Sequence, residues 1–232
     1  MLYAGRSEVG VRSSLLLVVS LGGLSGCFGL QNNISTDTGL LGDTSVAVPT
    51  SVDLTGKLYV IAPADLHLTQ PAGLDTLFHD ALKQNVLFYV GDESDETLGL
   101  QITLAAADGS QDPCQTVRTL PDADWNNPTF SAGPGELAVS FGGQAASLRH
   151  LTVTGTFDEF ASTWRDGTLS TQVDARELAA ALGGVDACEL VANVGGACEA
   201  CDDGAMQCIT LEFSDVSAAQ TNANFTPTPT CR

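Results

Sequence analysis

Between Lys57 and Phe213 apolar residues return at every second position, and that period restricts the fold more than any other feature of the chain. Leu98, Leu100, Ile102 and Leu104 alternate with their neighbours, as do Leu137, Val139 and Phe141, then Leu151, Val153, Gly155 and Phe157. Leu169, Thr171 and Val173 repeat the pattern, and Ile209, Leu211 and Phe213 supply a last strand. A strand sends successive side chains to opposite faces, so the pattern predicts antiparallel sheet with a single buried face. Leu58, Val60 and Ala62, alternating with Tyr59 and Ile61, begin a strand or a pair of short strands running to Leu68. Val86 to Val90 is apolar at every position, which predicts a strand covered on both sides.

Helical spacing is clearest at Leu74, Leu77, Phe78, Ala81 and Leu82, which share one face of a helix over 74–83. Asp75 near its start and Lys83 near its end suit the helix dipole. Asp174 to Leu182 predicts a short capped helix ended by Gly183 and Gly184, and Asp186 to Val194 a further turn or two. The proline-broken stretch from Asp108 to Pro134 reads as loop. The fold class is α+β: about seven strands in a mostly antiparallel curved sheet or partly closed barrel, covered by the helix of residues 74–83, with one or two short helices besides. A two-sheet β-sandwich is the alternative.

The first residues carry an export signal. Arg6 and Arg12 precede the apolar run Leu15 to Leu24, which at about ten residues is too short to span a bilayer as a helix, since that needs about 20. The tetrapeptide Leu24-Ser25-Gly26-Cys27 that follows resembles the lipobox of bacterial lipoproteins, which implies cleavage before Cys27 and acylation of its thiol. The competing reading is an ordinary signal peptide whose Cys27 joins a disulfide. Phe28 stands where inner-membrane lipoproteins of enteric type carry Asp, so the resemblance implies outer-membrane delivery and a lipid anchor through Cys27. Residues 1–26 are then the signal, 27–54 the lipidated cysteine and a flexible tether, 55–216 one domain, and 217–232 a polar tail anchored by Cys231. A tether of about 25 residues has a root-mean-square span of roughly 25 to 30 Å.

Charge excludes one class of partner. The chain carries 28 acids against 9 bases, a formal charge of −19. Arg6, Arg12 and Glu8 leave with the signal, so the acidity belongs to the exported part. Polyanion binding relies on Lys and Arg displacing counterions, so no nucleic-acid partner is expected.

Of seven cysteines, removal of Cys27 leaves Cys114, Cys188, Cys198, Cys201, Cys208 and Cys231. In an oxidising compartment they are expected to form disulfides, in one of 15 pairings that the sequence does not choose among. The crowding of Cys198, Cys201 and Cys208 predicts at least one small local loop. A redox role for Cys198-x-x-Cys201 would need a helix N-terminus to favour a thiolate, whereas Asp202, Asp203 and Gly204 follow. Zinc held by these thiolates with His67, His79 or His150 lacks a second paired motif. Asp122, Asp124 and Asn126 have the alternate spacing with which a calcium loop opens, but Asn127 and Gly133 stand where Gly and Glu are required. Irregular calcium sites at Asp92, Glu93, Asp95 and Glu96, or at Asp202 and Asp203, are weighed against solvated turns, and no metal or cofactor is expected.

No nucleophile elbow, zinc-protease helix, phosphate loop or dinucleotide fingerprint occurs, so the sequence nominates no catalytic residue and no enzyme. The lipobox, the Thr/Ser/Asp-rich tether, the segment Gly167 to Leu178 and the run C-x9-C-x2-C-x6-C are similar to uncharacterised lipoproteins of myxobacterial type, a likeness covering most of residues 114–213. The resemblance implies a location and a disulfide framework and no activity. Two functions from different classes follow as expectations. One is a lipid-anchored cell-envelope module that presents a surface to a protein or glycan partner; the other is a carrier whose curved sheet encloses a lipid or small apolar ligand.

Overall fold

A computed structural model of the protein describes residues 53–141 and 143–231. Cys27, the expected signal and most of the expected tether lie outside the described residues. In chain order the strands are β1 (Leu58–Ile61), β2 (His67–Gln70), β3 (Val86–Glu93), β4 (Thr97–Leu104), β5 (Arg118–Thr119) and β6 (Ala123–Asn126). They continue with β7 (Thr129–Phe141), β8 (Gln144–Phe157), β9 (Thr163–Asp174), β10 (Glu199–Ala200) and β11 (Met206–Thr221). Helix α1 (Asp75–Ala81) lies between β2 and β3, and α2 (Ala175–Ala181) and α3 (Ala187–Asn193) lie between β9 and β10. The architecture is therefore the expected one, mostly antiparallel sheet with few short helices.

The 11 strands form one sheet rather than the two of a sandwich. Its order β1-β3-β4-β6-β7-β8-β9-β11 closes on itself, because β11 also pairs with β1, Leu58 opposite Thr221, so eight strands make a ring. Every neighbouring pair in the ring is antiparallel. Closure pairs the backbone N–H and C=O groups that an open sheet would leave along its edges. Beyond the reach of β1, β2 takes over the neighbouring stretch of β11, with Leu68 opposite Phe213.

Alternation fills the ring. Ile61, Val90, Leu98, Leu100, Ile102, Leu104, Leu151, Val153, Val173 and Val216 are all buried in the main core. One end of the ring carries the chain entry at residues 53–57 and the turns after β3, β6 and β8. An aromatic cluster fills its interior there: Phe157 lies 5.2 Å from Tyr59, 5.9 Å from Trp125 and 5.2 Å from Phe130, and Trp164 lies 4.9 Å from Phe130 and 5.8 Å from Phe88, centroid to centroid. Gly155 makes room for it, since a Cβ at that position would strike the Trp164 ring and come within 2.9 Å of Phe130. The opposite end is covered by the three helices, with Phe78 of α1 4.8 Å from Phe213.

Val86 to Val90 is covered on both sides, as its composition predicts. Val86, Phe88 and Val90 face the ring interior, whereas Leu87 belongs to a second, outer cluster with Leu58 and Ala105. That outer cluster is covered by the C-terminal tail, whose Phe225 stacks on Tyr89 at 4.3 Å.

Two expectations are corrected. The stretch 108–134 is not all loop: it holds β5, β6 and the start of β7, with Trp125, Phe130 and Ala132 buried. The last strand does not stop at Phe213; β11 continues through Thr221 with Val216 and Ala218 buried. In β7 and in β11 the phase of the alternation is broken in the same way. A register shift lies between Ala132 and Gly135 in β7 and another between Phe213 and Val216 in β11. Each inserts residues that break the two-residue period, so one strand reads as an end and a fresh start. At the first, Gly133 has φ 117° and its missing Cβ would meet the Leu151 carbonyl, so glycine is required there. At the second, Asp215 sits at φ 52°, left-handed geometry that Asp tolerates better than most residues.

Candidate functional site

The six cysteines within the described residues meet in three pairs: Cys114 with Cys231, Cys188 with Cys198, and Cys201 with Cys208. The local loops expected from their crowding are both present, spanning 10 and 7 residues. The first ties α3 to β10, and the second closes the turn between β10 and β11. The third bridge joins residues 117 apart and holds the tail against the loop after β4, where Gln111 also donates to the Thr226 carbonyl (2.9 Å) and accepts from its amide (2.6 Å).

Cys198 and Cys201 are not bonded to each other, so the Cys-x-x-Cys spacing makes no redox pair. Among the described residues, one grouping of metal-ligand type brings Asp174, Cys201 and Cys208 within 4.8 Å of one another. Its donor set does not fit a cation, because the two sulfurs are bonded to each other and Arg176 donates to both Asp174 oxygens. The histidines stand elsewhere: His79 is paired with Asp75 at 3.3 Å, His150 with Asp202 at 3.0 Å, and His67 lies exposed in β2.

Several of the acidic candidates for calcium are engaged or extended. Asp124 and Asn126 belong to β6, whose hydrogen-bonded ladder with β7 holds the chain straight where a calcium loop must wrap. In the turn between β3 and β4, Glu93 accepts the Leu54 amide at 2.7 Å, and Ser94 accepts the Thr97 amide at 3.0 Å. Asp203 accepts from Ala205 and from Arg176, and the Ala205 amide with the Arg176 guanidinium holds its carboxyl below the usual range.

Two features at opposite ends of the ring stand out as surfaces. At the entry end, the turn Asp158–Ser162 projects Phe160, 75% exposed, from a tightly fastened loop. Asp158 accepts from the amides of Phe160 and Ser162 and from the hydroxyls of Ser162 and Thr163. Partial desolvation acts to raise its carboxyl, yet these hydrogen bonds outweigh it and bring the group down to about 2.

At the helix end, α1, α2 and α3 do not close completely over the sheet. They leave an open hollow of about 80 Å³, walled by Leu74, Leu77, Phe78, Leu178, Leu190 and Val191 above Ile209 and Leu211. Leu77 is 39% exposed, and Val185, Val194 and Met206 add exposed apolar surface on the elements at this end. The helices around the hollow are firmly placed. Asp186 caps α3 by accepting from the amides of Cys188 and Glu189, and Glu177 of α2 pairs with Arg149 and accepts the Ser147 amide. Arg149 and Arg176 both bind Asp174, and the Arg176 hydrogen bonds keep that carboxyl below its ordinary value.

The hollow was legible only in part. The Leu74, Leu77 and Phe78 stripe is read from the sequence as a helix face, whereas Leu178 with Leu182 and Ala187 with Leu190 and Val191 carry the same three and four residue spacing in helices too short to weigh. Phe160 has no sequence signal beyond being an aromatic that follows the two acids Asp158 and Glu159.

No protein-family model matches the chain, and no curated protein sequence or solved structure matches it. Among the described residues no helix is long and apolar enough to cross a membrane.

Proposed function

We propose that the chain is a cell-envelope lipoprotein, acylated at Cys27 and held at the outer membrane, whose domain is a non-catalytic interaction or structural module for a protein or glycan partner. The observation that carries this reading is the filled interior of the ring. Aromatic side chains occupy its entry end and aliphatic side chains the remainder, so the apolar faces are consumed in packing. Three paired cysteine sets support export to an oxidising compartment. The LSGC sequence after a short apolar run supports the lipid anchor, and the likeness to lipoproteins of myxobacterial type is consistent with it.

A carrier of lipid is the second reading, favoured by the apolar lining of the hollow between the helices. Its volume argues against it, because sites for drug-sized ligands run from about 300 to 1,000 Å³ and this one holds about 80 Å³. Native mass spectrometry of the exported chain separates the two. The module gives the mass of the acylated polypeptide alone, whereas one further lipid bound in stoichiometric amount overturns it. Cys27→Ala should release the protein from the membrane fraction; a mature N-terminus that is unmodified or lies elsewhere removes the anchor from the proposal.

A further inference from the structure

We infer that the hollow between α1, α2 and α3 is the docking site of the module, and that it receives one aliphatic side chain of a cationic amphipathic segment on a protein partner. The inference rests on the interaction-module reading and adds the place and the chemistry of recognition.

Size selects the anchor. A space of about 80 Å³ takes a side chain such as leucine and excludes an acyl chain or a cofactor. The walls belong to a surface that its own chain leaves unfinished: Leu74, Leu178, Leu182 and Leu190 are only half-buried, and Leu77 is exposed. An amphipathic helix laid over such a groove presents apolar residues at three and four residue steps, the mode in which one or two anchors enter while the flanks stay polar.

Charge selects the flanks. The bases on or beside the helices at this end are already matched: Arg149 by Asp174 and Glu177, Arg176 by Asp174 and Asp203, and Lys83 by Asp80. Asp186 and Glu189 of α3, both exposed, have no ion-pair partner among the described residues. The α3 side of the hollow, where Asp186 and Glu189 flank the lining residues Ala187 and Leu190, thus carries two unmatched acids in a chain of formal charge −19, which attract Lys and Arg and repel an acidic partner.

Geometry favours a preformed site. Cys188–Cys198 fastens α3 to β10, the Asp186 cap fixes its start, and the Arg149–Glu177 pair fixes α2, so little ordering is required on binding.

The test uses the exported full-length chain in phosphatidylcholine nanodiscs, with empty nanodiscs subtracted. The probe is a labelled helical peptide of about 15 residues with leucines on one face and lysines on the other. Two companions replace its leucines by serine or its lysines by glutamate. The leucine–lysine peptide should bind saturably and at least about tenfold more tightly than either companion. Leu77→Gln, which removes an exposed wall, and Ala181→Met, which fills the space from the α2 residue Ala181 that also lines it, should each weaken it by about tenfold or more while leaving the unfolding midpoint near that of the parent chain. The inference is overturned if the serine peptide binds equally, if the glutamate peptide binds equally, if both variants bind like the parent, or if nothing binds. It is also overturned if the chain sediments as a dimer that Leu77→Gln dissociates, since a second copy would then be the occupant. A lipid adduct in native mass spectrometry defeats the module reading itself, whereas a bare mass with failed peptide binding defeats only this site.

Discussion

The hydroxyl of Tyr59 donates to the carbonyl oxygen of Ala161 at 2.9 Å, linking β1 to the turn between β8 and β9 across 102 residues of sequence. Both residues are fully buried, and Ala161 is held at φ 53°, a left-handed geometry that alanine rarely adopts. Burial first, and then the Asp158 and Glu93 carboxylates, push the Tyr59 phenol well above its ordinary range, so it remains a donor at any physiological pH. Tyr59→Phe keeps the ring among its aromatic neighbours and leaves a buried carbonyl without its donor. We expect a loss of about 1 to 3 kcal/mol in chemical denaturation with an unchanged slope. A midpoint equal to that of the parent chain would show that the bond adds nothing net.

The same turn governs an acid transition. Asp158 titrates at about 2 in the folded chain against an ordinary 3.8. A carboxyl lowered by folding contributes stability that is complete above its unfolded value and is lost as pH falls through the folded one. The Asp158 contribution should therefore disappear between about pH 4 and about pH 2. Asp158→Asn removes this titration while Asp174 and Asp203, whose carboxyls are also lowered, remain in both proteins. The stability gap between parent and variant should narrow as pH falls across that window. A gap that stays constant would mean the four donors do not prefer the charged carboxylate.

How far the sequence can be read follows from these residues. Alternation at Leu98 to Leu104 and at Leu151 to Phe157 marks strands because every inward position is apolar and the period is unbroken. It fails at Ala132 to Leu137 and at Phe213 to Val216, where bulges shift the phase by an amount no composition records. Closure of the ring is likewise silent, because the pairing of Leu58 with Thr221 depends on twist and strand count rather than on either residue. The cysteines were legible as a set and not as pairs. The bridge from Cys114 to Cys231 spans 117 residues, and only the tail's path over Tyr89 brings them together. The hollow escaped for a further reason: it lies where three helices meet, and a period shows which face of each is apolar without showing that the three faces leave a gap.

Gly155 tests the aromatic cluster from inside. In β8 it occupies an inward position where the alternation calls for an apolar side chain, and its missing Cβ is the space that the Trp164 indole fills. Gly155→Ala must displace Trp164 or Phe130, neither of which has free volume in the ring. Overpacking of this kind costs about 1 to 3 kcal/mol, and Gly155→Val should exceed Gly155→Ala. Thermal unfolding followed by near-ultraviolet circular dichroism reads both the loss and the disturbed indole. Retention of the parent melting temperature by the alanine variant would show that the ring relaxes around the added carbon.

The tail bridge separates the stability of the ring from that of its outer cover. Cys114–Cys231 closes a long loop, so its removal frees the unfolded chain by about 2 to 4 kcal/mol, less whatever strain the bridge itself carries. The folded ring should survive, because β11 remains paired with β1 through Thr221 and with β9 through Ala219. The segment beyond Thr221 then rests on the Tyr89–Phe225 stack, the packing of Ala223 on the outer cluster, the hydrogen bond from the Ala223 amide to the Thr221 hydroxyl and the Gln111–Thr226 hydrogen bonds. Cys114→Ser with Cys231→Ser should therefore lower the denaturation midpoint and admit protease to residues 222–231 while the remainder resists digestion. Replacing both Cys188 and Cys198 by Ser should instead loosen α3, whose bridge spans 10 residues, and leave the tail protected. Cleavage within the ring of the first variant, ahead of the tail, would mean that the bridge holds the closed ring together and not just its cover.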